Sequence, residues 1–162
     1  MARFETKFAA LYARLGILKS TPVRWLLALA FTLLVTVLLV QSSSKPLLGS
    51  PAPPGAPDLK REIELTLGHV GAFFGLVVLW WWALQAVLPT PRALFVTVSF
   101  AIIFGLLTEM AQTLVADRQA SLFDLAVNWT VSVFVTSFIL ERWRLRQPGY
   151  RTSEPSSKMP VG

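Results

Sequence analysis

Residues 25–44 read WLLALAFTLLVTVLLVQSSS, a run without a single charge between Arg24 and Lys45. A helix needs about 20 largely apolar residues to cross the hydrocarbon of a bilayer, so this stretch reads as a transmembrane span. Working outward, the next charge-poor stretch runs from Leu65 to Pro91, with His69 its one ionisable group. It predicts a second span over about 68–88, closed by Pro89-Thr90-Pro91, because proline removes an amide donor and disfavours helix in the residue before it. Residues 93–115 form a third stretch, uncharged except for Glu109, and 122–140 a fourth after the short Asp117-Arg118-Gln119 segment. The pattern predicts an all-α polytopic membrane protein of four transmembrane helices, with the membrane domain spanning 23–140.

Composition agrees. Of 162 residues only 15% are charged, against about a quarter in soluble domains, and 54% are hydrophobic. A water-soluble body of this size has too much surface for so few charges to cover. Cysteine is absent, which excludes disulfide scaffolds, thiolate zinc sites, cysteine nucleophiles and iron–sulfur clusters.

Lysine and arginine concentrate in cytoplasmic loops, so their distribution sets orientation. Arg3, Lys7, Arg14, Lys19, Arg24, Arg92, Arg142, Arg144, Arg146, Arg151 and Lys158 fall on one side, and Lys45, Lys60, Arg61 and Arg118 on the other. Both termini are therefore expected in the cytoplasm, with Trp25 and Trp143 at the inner interface. The charged region before the first span is long and its apolar run exceeds a signal-peptide core, so the span is expected to stay uncleaved. The net charge of +6 follows membrane side and carries no nucleic-acid signature, which makes anionic lipid the simpler partner and excludes nucleic acid.

The flanks differ from the spans. In residues 1–22, Phe4, Phe8, Leu11, Leu15 and Leu18 recur at helical spacing, with Arg3, Lys7 and Arg14 on other faces. This arm reads as an amphipathic interfacial helix or as a solvated topology determinant. The Ser- and Pro-rich stretch 42–57 reads as an irregular loop, after which Asp58 can cap the helix leading into the second span. Residues 141–162 read as a basic, then disordered, cytoplasmic tail.

Ionisable groups inside spans are costly, so each needs a reason. With alternating topology His69 lies near the outer end of the second span, and Glu109 lies six residues below the outer end of the third, roughly 9 Å at 1.5 Å per residue. Gln112 shares the Glu109 face, Asp124 and Asn128 share one face at the start of the fourth span, and Arg118 lies in the turn between the last two spans. Topology thus gathers His69, Glu109, Gln112, Arg118, Asp124 and Asn128 in one outer layer. The last hairpin is expected to set Glu109 and Gln112 against Asn128, with Arg118 as counter-ion to Glu109 or Asp124. Asp124 also reads as a helix cap following Ser121, the two amides as interhelical bridges, and His69 either as a donor to a backbone carbonyl or as a ligand and proton relay. No metal site and no cofactor is expected.

These residues fall in four motifs, Gly68-His69-Val70-Gly71-Ala72-Phe73-Phe74-Gly75-Leu76, Gly105-Leu106-Leu107-Thr108-Glu109-Met110-Ala111-Gln112, Asp117-Arg118 and Asp124-Leu125-Ala126-Val127-Asn128. In this order they resemble the VanZ-like family of small bacterial membrane proteins over about residues 40–140. The resemblance implies a four-helix protein of the bacterial cytoplasmic membrane, in a family whose founding member is associated with raised teicoplanin resistance. Two departures stand out: Arg61, Glu62 and Glu64 occupy the approach to His69 where members usually carry an Asp-Lys pair, and Trp129-Thr130-Val131 and Val135 follow Asn128 where members tend to have glycines.

The expected function is an envelope binding or accessory protein whose partners are membrane lipid and a lipid-linked cell-wall intermediate. The alternative is an intramembrane enzyme acting on a lipid headgroup through Glu109, His69 and Asp124. Against it, the chain has no HExxH helix, no phosphate-cradling glycine loop and no GxSxG elbow. A channel is disfavoured because the polar layer does not continue inward beyond Gln85 and scattered hydroxyls.

Overall fold

The computed structural model describes residues 20–41, 59–115 and 120–147. Most of the expected amphipathic arm, the proline-rich loop, Arg118 and the end of the tail lie outside the described residues. Four helices account for nearly everything else: α1 (Thr21–Val40), α2 (Leu59–Leu84), α3 (Thr90–Gln112) and α4 (Leu122–Leu145). Each is long and apolar enough to cross a membrane, and among the described residues there is no strand. The chain is an all-α, multi-pass membrane protein.

Local chemistry sets the helix ends. Pro22 opens α1 and Pro91 opens α3, each in the first turn where a missing amide hydrogen costs nothing. Helix α1 starts at Thr21 rather than at 25, because Arg24 finds partners on α2 from within the helix. Its Nη1 donates to the Trp82 carbonyl at 3.3 Å and its guanidinium lies 5.1 Å from the Trp82 ring centroid. That carbonyl needs a donor because α2 is tightening ahead of Pro89: the Ala86 amide bonds Ala83 instead of Trp82. For the same reason α2 ends at Leu84 rather than at 88. Helix α3 ends at Gln112, with Thr113, Leu114 and Val115 turning off through bonds to the third residue back. Helix α4 runs to Leu145, five residues beyond the expected 140, since Arg142 and Arg144 in its last turn complement the helix dipole.

Consecutive helices pack antiparallel, as the pairs Arg24/Trp82, Phe73/Phe104 and Trp129/Ile102 record. Helices α2 and α3 touch each other and both outer helices, whereas α1 and α4 are not neighbours. The core is built from Val35, Leu39, Phe73, Leu76, Val77, Ala101 and Val135. Beside it Trp25, Trp80, Phe100 and Phe104 form an aromatic ladder with centroid spacings of 5.7, 4.3 and 5.7 Å. Large side chains such as Leu33, Phe95 and Phe134 face outward, as lipid contact requires.

Apolar packing alone does not hold helices together in lipid, so close approach and interhelical hydrogen bonds matter more than in water. At Gly75 the Phe31 ring lies on the backbone itself: a Cβ there would stand 2.6 Å from Phe31 Cζ. Next to it Trp80 Nε1 donates to Thr32 Oγ1 at 2.9 Å, and Thr32 donates to the Ala28 carbonyl at 2.8 Å. On α3, Ala93, Thr97, Ala101 and Gly105 recur every fourth residue and are all buried. Thr97 and Ser132 return their hydroxyl hydrogens to carbonyls four residues back, so neither is left unsatisfied in the apolar interior.

Candidate functional site

Polar side chains collect at the end of the bundle where α3 turns into α4. The turn starts from a capping sequence, Ser121-Leu122-Phe123-Asp124. Ser121 is extended and its Oγ accepts from the Asp124 amide at 3.2 Å, satisfying one free donor of the first turn of α4. In a capping box the third helical residue would reach back to the cap's own amide. Here a different carboxylate does so: Glu109 Oε2, on α3, accepts from the Ser121 amide at 2.8 Å. Glu109 is 4% exposed, and this bond ties the end of α3 to the start of α4.

Asp124 is thereby released from capping duty and faces α2. Its Oδ2 lies 4.0 Å from His69 Nε2, with the Asp124 side chain 23% exposed. On the other side of the imidazole, His69 Nδ1 and the side-chain amide of Asn128 share a hydrogen bond of 3.0 Å. His69 and Asn128 are 3% and 0% exposed, and Asn128 Nδ2 has no hydrogen-bond partner. A chain of polar contacts therefore runs Glu109, Ser121, Asp124, His69, Asn128 across three helices.

Gln112 does not join this chain. The expected opposition of Glu109 and Gln112 to Asn128 gives way to a different pairing: Gln112 Nε2 donates to the Leu39 carbonyl of α1 at 2.9 Å. The reason is local, since Leu39 lies in the last turn of α1, where carbonyls have no intrahelical donor. Asn128 instead faces α2, and its Cβ passes close to Gly105 of α3. His69 bonds a side chain, not a backbone carbonyl. Four of the six expected residues, His69, Glu109, Asp124 and Asn128, meet in one network; Gln112 sits beside it as an α1–α3 bridge, and Arg118 lies outside the described residues.

Beside the network is a groove of about 520 Å³ between α3 and α4. Glu109, Thr113 and Ser121 are its polar lining residues, while Leu106, Met110, Leu114, Leu122 and Leu125 form apolar walls. Among the described residues no three of His, Asp and Glu stand together as a metal-binding set. Ser121, not the expected Asp124, caps α4, and it is the joint between Glu109 and Asp124. The Leu39 carbonyl carried no signal in the sequence, because any residue type can present one.

Comparison of the chain with protein-family models, with curated proteins and with solved structures gives no match.

Proposed function

We propose that the protein is an accessory protein of the bacterial cell envelope that holds a lipid headgroup, or that of a lipid-linked cell-wall intermediate, at the end where α3 turns into α4. The observation that carries this reading is the groove: a largely apolar lining of leucine and methionine that also includes Glu109 and Ser121, from which a polar chain leads to a buried histidine. An amphiphile has the matching division, an apolar chain beside a polar head, and ligand sites combine apolar walls with few polar groups in this way.

The lysine and arginine distribution supports both termini in the cytoplasm, and hence a headgroup in the outer leaflet. Arg118, in the turn between α3 and α4, supplies the anion contact for a phosphate in this reading. The link to glycopeptide-type antibiotic susceptibility rests on the resemblance of the motifs to the VanZ-like family.

The test is to purify the full chain in native membrane discs and compare by mass spectrometry the lipids retained by the wild type, Glu109→Gln and Arg118→Ala. Selective retention of a minor envelope lipid by the wild type, lost in both variants, is the expected result. If all three carry only bulk phospholipid at equal protein levels, the polar chain is a helix fastening and the reading fails.

A further inference from the structure

An arginine is always charged and every one of its nitrogens donates, so its hydrogens need no assignment. Arg24, near the start of α1, is half-buried against α2. Its Nη1 donates to the Trp82 carbonyl and its Cζ lies over the Trp82 ring. The opposite edge of the guanidinium, Nε with Nη2, holds the parallel N–H bonds that grip an oxyanion side-on. Nε is buried with no hydrogen-bond partner, and none of the described residues accepts from Nη2. No carboxylate answers the charge either. Among the described side chains Glu64, Glu109 and Asp124 stand at the other end of the bundle, and Glu141 belongs to α4, which does not neighbour α1. Helices α1 and α3 both begin at the Arg24 end without an acid in the first turn, so the positive ends of their dipoles add to the arginine instead of offsetting it.

We propose that Arg24, held on Trp82 at the α1–α2 junction, seats the phosphate of an anionic phospholipid in the leaflet opposite the α3–α4 turn. A half-buried cation without a counter-ion is costly, and a phosphate offsets it while filling the unmatched edge of the fork. The depth suits a headgroup: Trp25, packed edge-on against Trp80 with centroids 5.7 Å apart, and Trp82 surround the arginine, and indoles settle at the headgroup level of a bilayer. In the orientation drawn from the basic residues this leaflet is the cytoplasmic one, where anionic lipids concentrate. The seat lies at the far end of the bundle from the groove between α3 and α4 and does not depend on it.

Phosphatidylglycerol and phosphatidylcholine share a phosphodiester, but choline adds a positive charge beside an arginine and two positive helix ends, so the two lipids are the probes. The full chain is purified into discs containing equal amounts of both and released into detergent. It is then washed at about 1 M salt, where the Debye length falls to about 3 Å and diffuse attraction is screened out. Lipid that stays bound is measured by mass spectrometry. The wild type is expected to retain phosphatidylglycerol over phosphatidylcholine by about fivefold, the worth of one charge at a membrane surface. Arg24→Gln is expected to bring that ratio within about twofold, the scale of an exposed ion pair. Arg144→Gln, which removes an exposed arginine at the same end, is expected to leave the wild-type ratio.

Equal retention of the two lipids by the wild type overturns the seat without any substitution, so the test does not hang on Arg24→Gln reaching the membrane. A loss in Arg144→Gln as large as that in Arg24→Gln also overturns it, because charge at this end then acts collectively and not through one contact. Millimolar inorganic phosphate separates the sources. Phosphatidylglycerol that stays bound in its presence supports the lipid seat, and displacement means that a free anion takes the fork, which overturns the lipid assignment.

Discussion

Replacing Glu109 by leucine removes the acceptor of the Ser121 amide, now held at 2.8 Å by a carboxylate 4% exposed. A hydrogen bond to a charged group contributes about 1.5–3 kcal/mol, and a buried amide left unpaired costs a similar amount. For a chain of this length each kcal/mol shifts the melting midpoint by roughly 2–4 °C, so Glu109→Leu should lower it by about 5 °C in thermal unfolding of the full chain in discs. Glu109→Gln keeps an oxygen in place and should lose less than half as much.

The backup is what makes the reasoning testable. Asp124 occupies the position from which a capping-box side chain reaches back to the Ser121 amide. Once Glu109 is gone, Asp124 can take that amide at the expense of its approach to His69. Asp124→Ala alone should cost about 0.3–1 kcal/mol through the helix dipole. Combined with Glu109→Leu, the loss should exceed the sum of the two by about 1 kcal/mol, a coupling expected only for residues sharing a partner. Additive losses, or an unshifted midpoint in Glu109→Leu, would refute the assignment of Glu109 as the acceptor of the Ser121 amide.

Two further perturbations follow from the packing and the charge pattern. Gly75→Val should destabilise the bundle by about 1–3 kcal/mol, because the new side chain meets the Phe31 ring at the Cβ itself, and Phe31→Ala should recover much of that loss in the double variant; a melting midpoint for the pair lower than for Gly75→Val alone would contradict the contact. The chain has no cysteine, so Lys19→Cys, Lys45→Cys and Lys158→Cys each carry one thiol; in right-side-out vesicles an impermeant maleimide should label only Lys45→Cys, and the opposite pattern would reverse the orientation drawn from the basic residues.

The four spans were legible because a bilayer imposes a length on uncharged sequence, and Arg24, Lys45, Pro89 and Pro91 mark where that sequence breaks. The ends were less so. Arg24 is a charge that a helix keeps, once Trp82 offers it a carbonyl and a ring, and nothing local to residue 24 announces a partner 58 residues away. At the site, counting residues from the span ends gave depth, and depth brought His69, Glu109, Asp124 and Asn128 to one level. It did not give direction. Whether Gln112 turns toward α4 or α1 depends on which neighbour has an unmet carbonyl, and that is settled by where α1 stops, at Val40, not by any property of Gln112. The sequence offered Asp124 as the cap of α4; that Ser121 takes the cap while Glu109 holds the Ser121 amide and leaves Asp124 to face His69 needs the approach of α3 to be known.

The polar partners of the site are also ordered in time. Glu109 and Ser121 are 12 residues apart and leave the ribosome nearly together, so the α3–α4 hairpin can enter the bilayer with that carboxylate already fastened. His69 has no such companion: Asn128 lies 59 residues downstream. At synthesis rates of about 5–20 residues per second, the imidazole waits roughly 3–12 s in its span before its partner exists. During that interval α2 carries a ring still without its Asn128 partner, and burial of the ring is completed only when α4 docks alongside. Arrival of the last helix is thus the step that closes the bundle, and a nascent chain stopped short of Asn128 should expose His69 to quality control that the finished protein escapes.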